Sequence, residues 1–244
     1  KNVFGEVSES FDNDCGQVAF NYDSMGQLTS VRGEDGSTTR MIYDAAGRKI
    51  AQSDPDKGDW QYAYNALGEL IRQLDSKHQA IDFEYDRLGR ITHRRVLINV
   101  GSLADSSFDI VNHETTVYKA AGPGKSQPGR VTYTAGESGE IIHQVKMTYD
   151  WLGRVSDVST TIGNDQFYQQ TTYDAYGRVF QQFDASGDDR GLRYQYSNGY
   201  LSLLKEAREG VNGQVYQEIL ETDARGNVTK AMLGNGVTAI ANHN

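Results

Sequence analysis

The chain of 244 residues has one cysteine, Cys15, and three prolines. A single thiol excludes an intrachain disulfide framework, so packing and backbone hydrogen bonds must hold the fold together. No apolar run approaches the ~18 residues of a membrane helix, and no signal-peptide pattern is visible, so insertion of this segment into a membrane is not expected. Basic residues are the minority, 24 Lys and Arg against 33 Asp and Glu for a formal charge of −9, and no basic stripe occurs. That balance disfavours nucleic acid and anionic membranes as partners and suits plain solubility. Long helical periodicity is also scarce. The window from Leu201 to Arg208 has some helical spacing, but Gly199 and Gly210 bracket it and the alternation in Leu192 to Tyr196 reads as strand.

What the chain does contain is glycine and tyrosine, 26 and 15 of them. Glycines at 5, 26, 47, 68 and 89 are separated by 21 residues each, and the last four close one phrase: Tyr22-Asp23-Ser24-Met25-Gly26, Tyr43-Asp44-Ala45-Ala46-Gly47, Tyr64-Asn65-Ala66-Leu67-Gly68 and Tyr85-Asp86-Arg87-Leu88-Gly89. The phrase returns as Tyr149-Asp150-Trp151-Leu152-Gly153-Arg154 and Tyr173-Asp174-Ala175-Tyr176-Gly177-Arg178. It then decays to Tyr196-Ser197-Asn198-Gly199 and Thr222-Asp223-Ala224-Arg225-Gly226-Asn227. A fixed period of this size marks one supersecondary unit stacked on copies of itself.

The phrase reads as a hairpin loop: aspartate opens the turn, two variable residues follow, and glycine takes positive φ. Two residues past the glycine an apolar side chain returns at Val7, Leu28, Leu70, Ile91, Val155, Val179, Leu201 and Val228, with Lys49 the exception. Each period therefore holds two strands and two turns, the second turn showing as Glu34-Asp35-Gly36, Asp54-Pro55-Asp56-Lys57-Gly58 and Ser186-Gly187-Asp188. The expected fold is all-β, an array of antiparallel hairpins forming a curved open sheet strip with a thin core. One array is expected over residues 1–244, regular over 1–95, irregular over 96–146 with one or two degenerate units inside, and regular again over 147–244.

The Tyr-Asp-x-x-Gly-Arg phrase at this period resembles the YD repeat of the rearrangement-hotspot (RHS) family, which includes bacterial polymorphic toxins, toxin-complex shell proteins and teneurins. The resemblance covers most of the chain. It implies a β-strip that winds into part of a hollow shell, with the remaining repeats and a C-terminal cargo domain as partners and with secretion or cell-surface display of the parent protein. The repeat residues it marks as structural are Tyr22, Asp23 and Gly26; Tyr43, Asp44, Gly47 and Arg48; Tyr64, Asn65 and Gly68; Tyr85, Asp86, Gly89 and Arg90; Tyr149, Asp150, Gly153 and Arg154; and Tyr173, Asp174, Gly177 and Arg178. The family's aspartyl self-cleavage motif has no match; Asp54-Pro55 shares its first letters but falls in an inter-repeat turn. A start at Lys1 and a stop at Asn244 inside another repeat lead to the expectation of a fragment, whose cut edges would invite edge-to-edge association.

Chemistry-bearing motifs are weak. Gly122-Pro123-Gly124-Lys125-Ser126 resembles a phosphate loop, but the further glycine that motif needs is replaced by Lys119, and Gln127-Pro128-Gly129 leaves no room for a helix. Asp54, Asp56 and Asp59 begin like a calcium loop whose sixth position is Asp59 and twelfth Asn65, and Asp12-Asn13-Asp14 before Gly16 is weaker still. His78, His93, His113, His143 and His243 have no ligand-like spacing, and Cys15 beside Gly16 has no partner signature. No catalytic residue, cofactor or metal is expected. The tyrosines read first as stacking glue, with a glycan-binding aromatic ladder as the alternative, and the arginines as partners of neighbouring aspartates.

Two functions from different classes follow: a shell segment that encapsulates a toxin or other cargo for delivery, and an extracellular adhesion module that binds carbohydrate or a receptor.

Overall fold

A computed structural model describes residues 1–12, 16–137, 139–186, 191–207 and 213–241. The described chain is all β, with no helix long and apolar enough to cross a membrane. It divides into two compact units, Lys1–Thr115 with Tyr133–Glu140, and Thr116–Thr132 with Ile141–Asn244.

The strands in chain order are β1 (Glu9–Phe11), β2 (Gln17–Tyr22), β3 (Leu28–Arg32), β4 (Thr38–Tyr43), β5 (Lys49–Asp54), β6 (Gly58–Tyr64), β7 (Leu70–Asp75), β8 (Ala80–Tyr85), β9 (Ile91–Ile98) and β10 (Asp109–Tyr118). They continue with β11 (Pro128–Ala135), β12 (Ile141–Tyr149), β13 (Val155–Ile162), β14 (Asp165–Tyr173), β15 (Val179–Phe183), β16 (Gly191–Ser197), β17 (Tyr200–Glu206), β18 (Val215–Thr222), β19 (Val228–Leu233) and β20 (Thr238–Ile240). The first unit holds β1 to β9 with the beginning of β10 and the end of β11, and the second holds the rest.

In both units each strand pairs antiparallel with its successor, as in β2–β3, β4–β5 and β8–β9 of the first and β13–β14 and β16–β17 of the second. This is the antiparallel hairpin array that the 21-residue period predicts. The weakly helical window after Gly199 is strand β17. Its leucines pair across to β16 at Tyr194↔Leu204 and Gln195↔Leu203, so tertiary pairing overrides a helical propensity only two turns long.

Alternation sets the faces. In the first unit, Phe20 stands opposite Val31, Tyr62 opposite Gln73, Gln73 opposite Ile81 and Ile81 opposite Val96, giving a half-buried row of mainly apolar residues. The reverse face carries Arg40, Asp59, Gln61 and Glu84, all exposed. That face is covered in one place. Residues 99–108 fold back so that Val100, Leu103 and Phe108 pack with Leu74, Ala80, Leu97 and Ile110, and Leu97 and Val100 become fully buried. Arg72 bolts this loop down through a two-pronged contact with Asp82 at 2.5 and 2.6 Å, hydrogen bonds to the Asp105 and Leu103 carbonyls at 2.6 and 3.2 Å, and a position over the Phe108 ring. The Asp82 contact also holds the guanidinium pKa above its ordinary value.

Candidate functional site

In each unit the sequence phrase becomes a column of turns whose members hold one another. Within each turn, aspartate Oδ1 accepts two backbone N–H groups: Asp44 takes those of Ala46 and Arg48, both at 2.9 Å, and Asp150 those of Leu152 and Arg154 at 3.0 and 2.9 Å. The loop closes through Asp44 N–H to the Arg48 carbonyl at 2.9 Å and Gly47 N–H to the Asp44 carbonyl at 3.0 Å. Gly47 has φ +81°, and a Cβ there would lie 2.9 Å from the Gln27 amide of the preceding turn, so both backbone conformation and crowding demand glycine.

The second carboxylate oxygen selects the residue after the glycine. Arg48, Arg90, Arg154 and Arg178 each donate Nε to Oδ2 of the aspartate four residues back, at 2.7, 2.7, 2.7 and 2.8 Å. Where the turn opens with asparagine, the partner becomes an acceptor: Asn65 Nδ2 donates to Glu69 at 2.6 Å and Asn2 Nδ2 to Glu6 at 2.5 Å. Asp223 pairs with Asn227 at 2.8 Å. Donor and acceptor thus swap together, a complementarity that reading the phrase as Tyr-Asp-x-x-Gly-Arg alone does not reveal.

The tyrosines link one turn to the next. Tyr22, Tyr43, Tyr64 and Tyr85 donate their hydroxyls to the carbonyls of Val7, Leu28, Lys49 and Leu70, at 3.0, 2.9, 2.8 and 2.7 Å. In the second unit Tyr173 and Tyr196 do the same to Val155 and Val179, both at 2.9 Å. In each case the acceptor lies two residues after the previous turn's glycine. Because only its backbone is used, Lys49 stands there as well as leucine does. Arginines of one turn lie over the tyrosine rings of the next, Arg48 over Tyr64, Arg154 over Tyr173 and Arg178 over Tyr196 at 5.0, 3.9 and 4.1 Å.

The electrostatics follow. Asp44 is held below the ordinary carboxylate range by the Arg48 backbone N–H and then its guanidinium, and Asp86 by the Arg90 guanidinium first. At Asp150 and Asp174 desolvation pushes the carboxyl up, but hydrogen bonds from Arg154 and Arg178 outweigh it and the net shift is down. Burial pushes the Tyr64, Tyr85 and Tyr149 phenols up.

One turn was hidden in the irregular stretch. Lys119 N–H donates to the Gln127 carbonyl and Ser126 N–H to the Lys119 carbonyl, both at 2.9 Å, the pair of bonds that closes the turns opened by Asp44 and Asp150. Tyr118 and Lys119 stand where Tyr-Asp stands elsewhere, and Ser126, at φ +68°, takes the place of glycine. Tyr149 completes the link with a hydroxyl bond to the Pro128 carbonyl at 2.6 Å, and Gln127 Nε2 donates to the Gly153 carbonyl at 3.0 Å. Gly122-Pro123-Gly124-Lys125-Ser126 is therefore the enlarged loop of a cryptic repeat, with Gly124 pressed against the Tyr149 ring. Glycine at a fixed interval was the signal used for the other repeats, and its replacement by serine in a longer loop concealed this one.

The remaining candidates separate. Asp54 spends Oδ1 on the N–H groups of Asp56 and Lys57, both at 3.0 Å, and Oδ2 on the Thr39 hydroxyl at 3.0 Å. His78 bridges to the Val100 carbonyl at 3.0 Å, whereas His93 and His113 meet at 2.9 Å, a contact that their sequence spacing did not suggest. Cys15, Asn13, Asp14, Gly187, Asp188 and His243 lie outside the described residues.

Residues 22–58, which carry the first two copies of the phrase and the strands between, match the RHS repeat family model. Over that stretch the chain is similar to an RHS repeat. Similarity to solved structures runs along nearly the whole chain. A crystal structure of TcdB2-TccC3 without its hypervariable C-terminal region matches 97% of it at TM-score 0.75 and 16% identity. The Photorhabdus luminescens Tc holotoxin pore matches 93% at 0.73 and 15%, and TcdB2-TccC3-Cdc42 matches 99% at 0.70 and 17%. At these identities the likeness is one of fold. The chain spans 12%, 12% and 13% of the length of those three. No curated protein matches it in sequence.

Proposed function

We propose that this chain, read as one array of RHS repeats over residues 1–244, is a wall segment of a shell that encloses a C-terminal toxin or other cargo of its parent protein for delivery. The observation that carries this reading is the column of turns. Its repeated polar groups are committed within the array: the tyrosine hydroxyls to carbonyls one turn back, the arginines to aspartates of their own turn. Such groups build a wall and leave little chemistry to act on a substrate, so the proposed role is structural rather than enzymatic. The fold shared with TcdB2-TccC3 supports the same reading, as does the hypervariable C-terminal region of that protein. In this proposal the parent protein is secreted or displayed at the cell surface, and its other repeats complete the wall.

The test is native and denaturing mass spectrometry, side by side, on the protein at its natural length. A C-terminal piece that is severed yet stays bound under native conditions is the expected result. A single uncut chain whose C-terminal region is open to added protease overturns enclosure.

A further inference from the structure

The first unit contains a histidine pair that the turn column does not use. His93 on β9 and His113 on β10 lie diagonally across the strand pair: His93 stands opposite Thr115, and His113 opposite Arg95. His93 Nδ1 and His113 Nε2 are 2.9 Å apart, the ring centroids 5.1 Å apart, and both rings are half-buried. The second nitrogen of His113, Nδ1, lies 3.3 Å from the Glu137 carbonyl. A carbonyl only accepts, so His113 Nδ1 carries the proton and Nε2 a lone pair, and His93 Nδ1–H must then donate to that lone pair. The neutral pair thereby forms one chain of donors, from β9 through β10 to the turn that follows β11.

Charged groups around the pair are already engaged. Glu84, opposite His93 on β8, is paired with Arg95. Asp82, opposite Arg95, is held by Arg72, and Asp109 accepts from Asn99 at 2.6 Å. Glu137 lines a cleft together with Asp82, Glu84, Arg95 and Asp109. A first proton can enter at His93 Nε2 without breaking the chain of hydrogen bonds, facing Glu84. A second must occupy His113 Nε2, which turns the acceptor into a donor and sets two cations against each other beside Arg95.

We infer that His93 and His113 form an acid-sensitive clasp, which at neutral pH ties β9 to the start of β10 and to the Glu137 turn, and which double protonation releases. Desolvation, opposed by Glu84, also holds the His93 pKa below its ordinary value of 6.5. For a base with a depressed folded pKa, the contribution to stability is full above 6.5 and is lost as pH falls through the folded value. The clasp works whether or not the array encloses cargo.

The test is amide hydrogen exchange at about pH 7.5 and about pH 5.5, corrected for intrinsic exchange, with imidazole nitrogen NMR on the same samples. Expected is a loss of protection of about tenfold in residues 109–115 at the lower pH, with no comparable loss in β2 to β5. His113→Gln, whose amide can both accept and donate, removes the second protonation and weakens the pH dependence, and His143→Gln leaves it intact. Should His113→Gln fail to fold, the wild-type NMR decides: two coupled protonation steps support the clasp. Independent titration of both rings near the ordinary value, or equal loss of protection throughout the unit, overturns it.

Discussion

At the residue scale, the identity of one side chain in a turn fixes what its partner must be. Asp44 and Asp150 present a second carboxylate oxygen and are matched by arginine, whereas Asn65 presents an N–H and is matched by Glu69. Asn65→Asp places like charges together and should destabilise. Glu69→Arg alone should leave the guanidinium facing an amide donor. The double variant recreates the Asp-x-x-Gly-Arg turn, and a double-mutant cycle by urea unfolding should show a favourable coupling of about 0.5 kcal/mol or more. Additive single effects would sink the complementarity. The hydroxyl links follow the same logic: Tyr149→Phe, losing the 2.6 Å bond to Pro128, should cost about 1 kcal/mol in the same assay. Tyr168→Phe, whose exposed hydroxyl meets only Gln166, should cost almost nothing.

At the element scale, the cryptic turn and the covering loop carry the structure through the stretch where repetition fails. Ser126 holds φ +68° without being glycine. Ser126→Gly should therefore stabilise by about 0.5 to 1 kcal/mol, the left-handed penalty of ~1–2 kcal/mol less the greater chain entropy of glycine. Gly124→Ala should do the reverse, because its Cβ would come 2.2 Å from the Tyr149 ring at φ +69°. Denaturant midpoints of the two variants should move in opposite directions; a common direction would refute the assignment of Ser126 to the glycine place. Beneath the 99–108 loop, Leu97 is fully buried, and Leu97→Ala should cost about 2–5 kcal/mol by the same measurement. Cost at that level requires the loop to stay packed, so a near-neutral result would mean that it lifts from the sheet.

At the scale of the whole molecule, buried side chains are few, and stability is distributed over many small repeated terms. Acid should remove several of them together. Asp44, Asp86, Asp150 and Asp174 all have folded values below 3.8, so the unfolded chain binds more protons there. Their contribution is complete above that value and disappears as pH falls through the folded ones. With His93→Gln and His113→Gln in place, the melting temperature should stay level from about pH 7 to about pH 5 and drop below about pH 4. A steady decline across the whole range would contradict the assignment.

The sequence by itself determined the all-β class, the hairpin period and the turn positions, because a turn is a local object. Asp44, Gly47 and Arg48 complete most of its hydrogen bonds within five residues, and a local requirement leaves a local signature. Tertiary structure decided what depends on neighbours. Which carbonyl Tyr149 reaches, which turn Ser126 belongs to, how Arg72 secures a loop more than thirty residues away, and that His93 meets His113 all follow from strand register. Register is set by pairing along the whole sheet, where each contact is weak alone and becomes definite only when every neighbouring strand is in place.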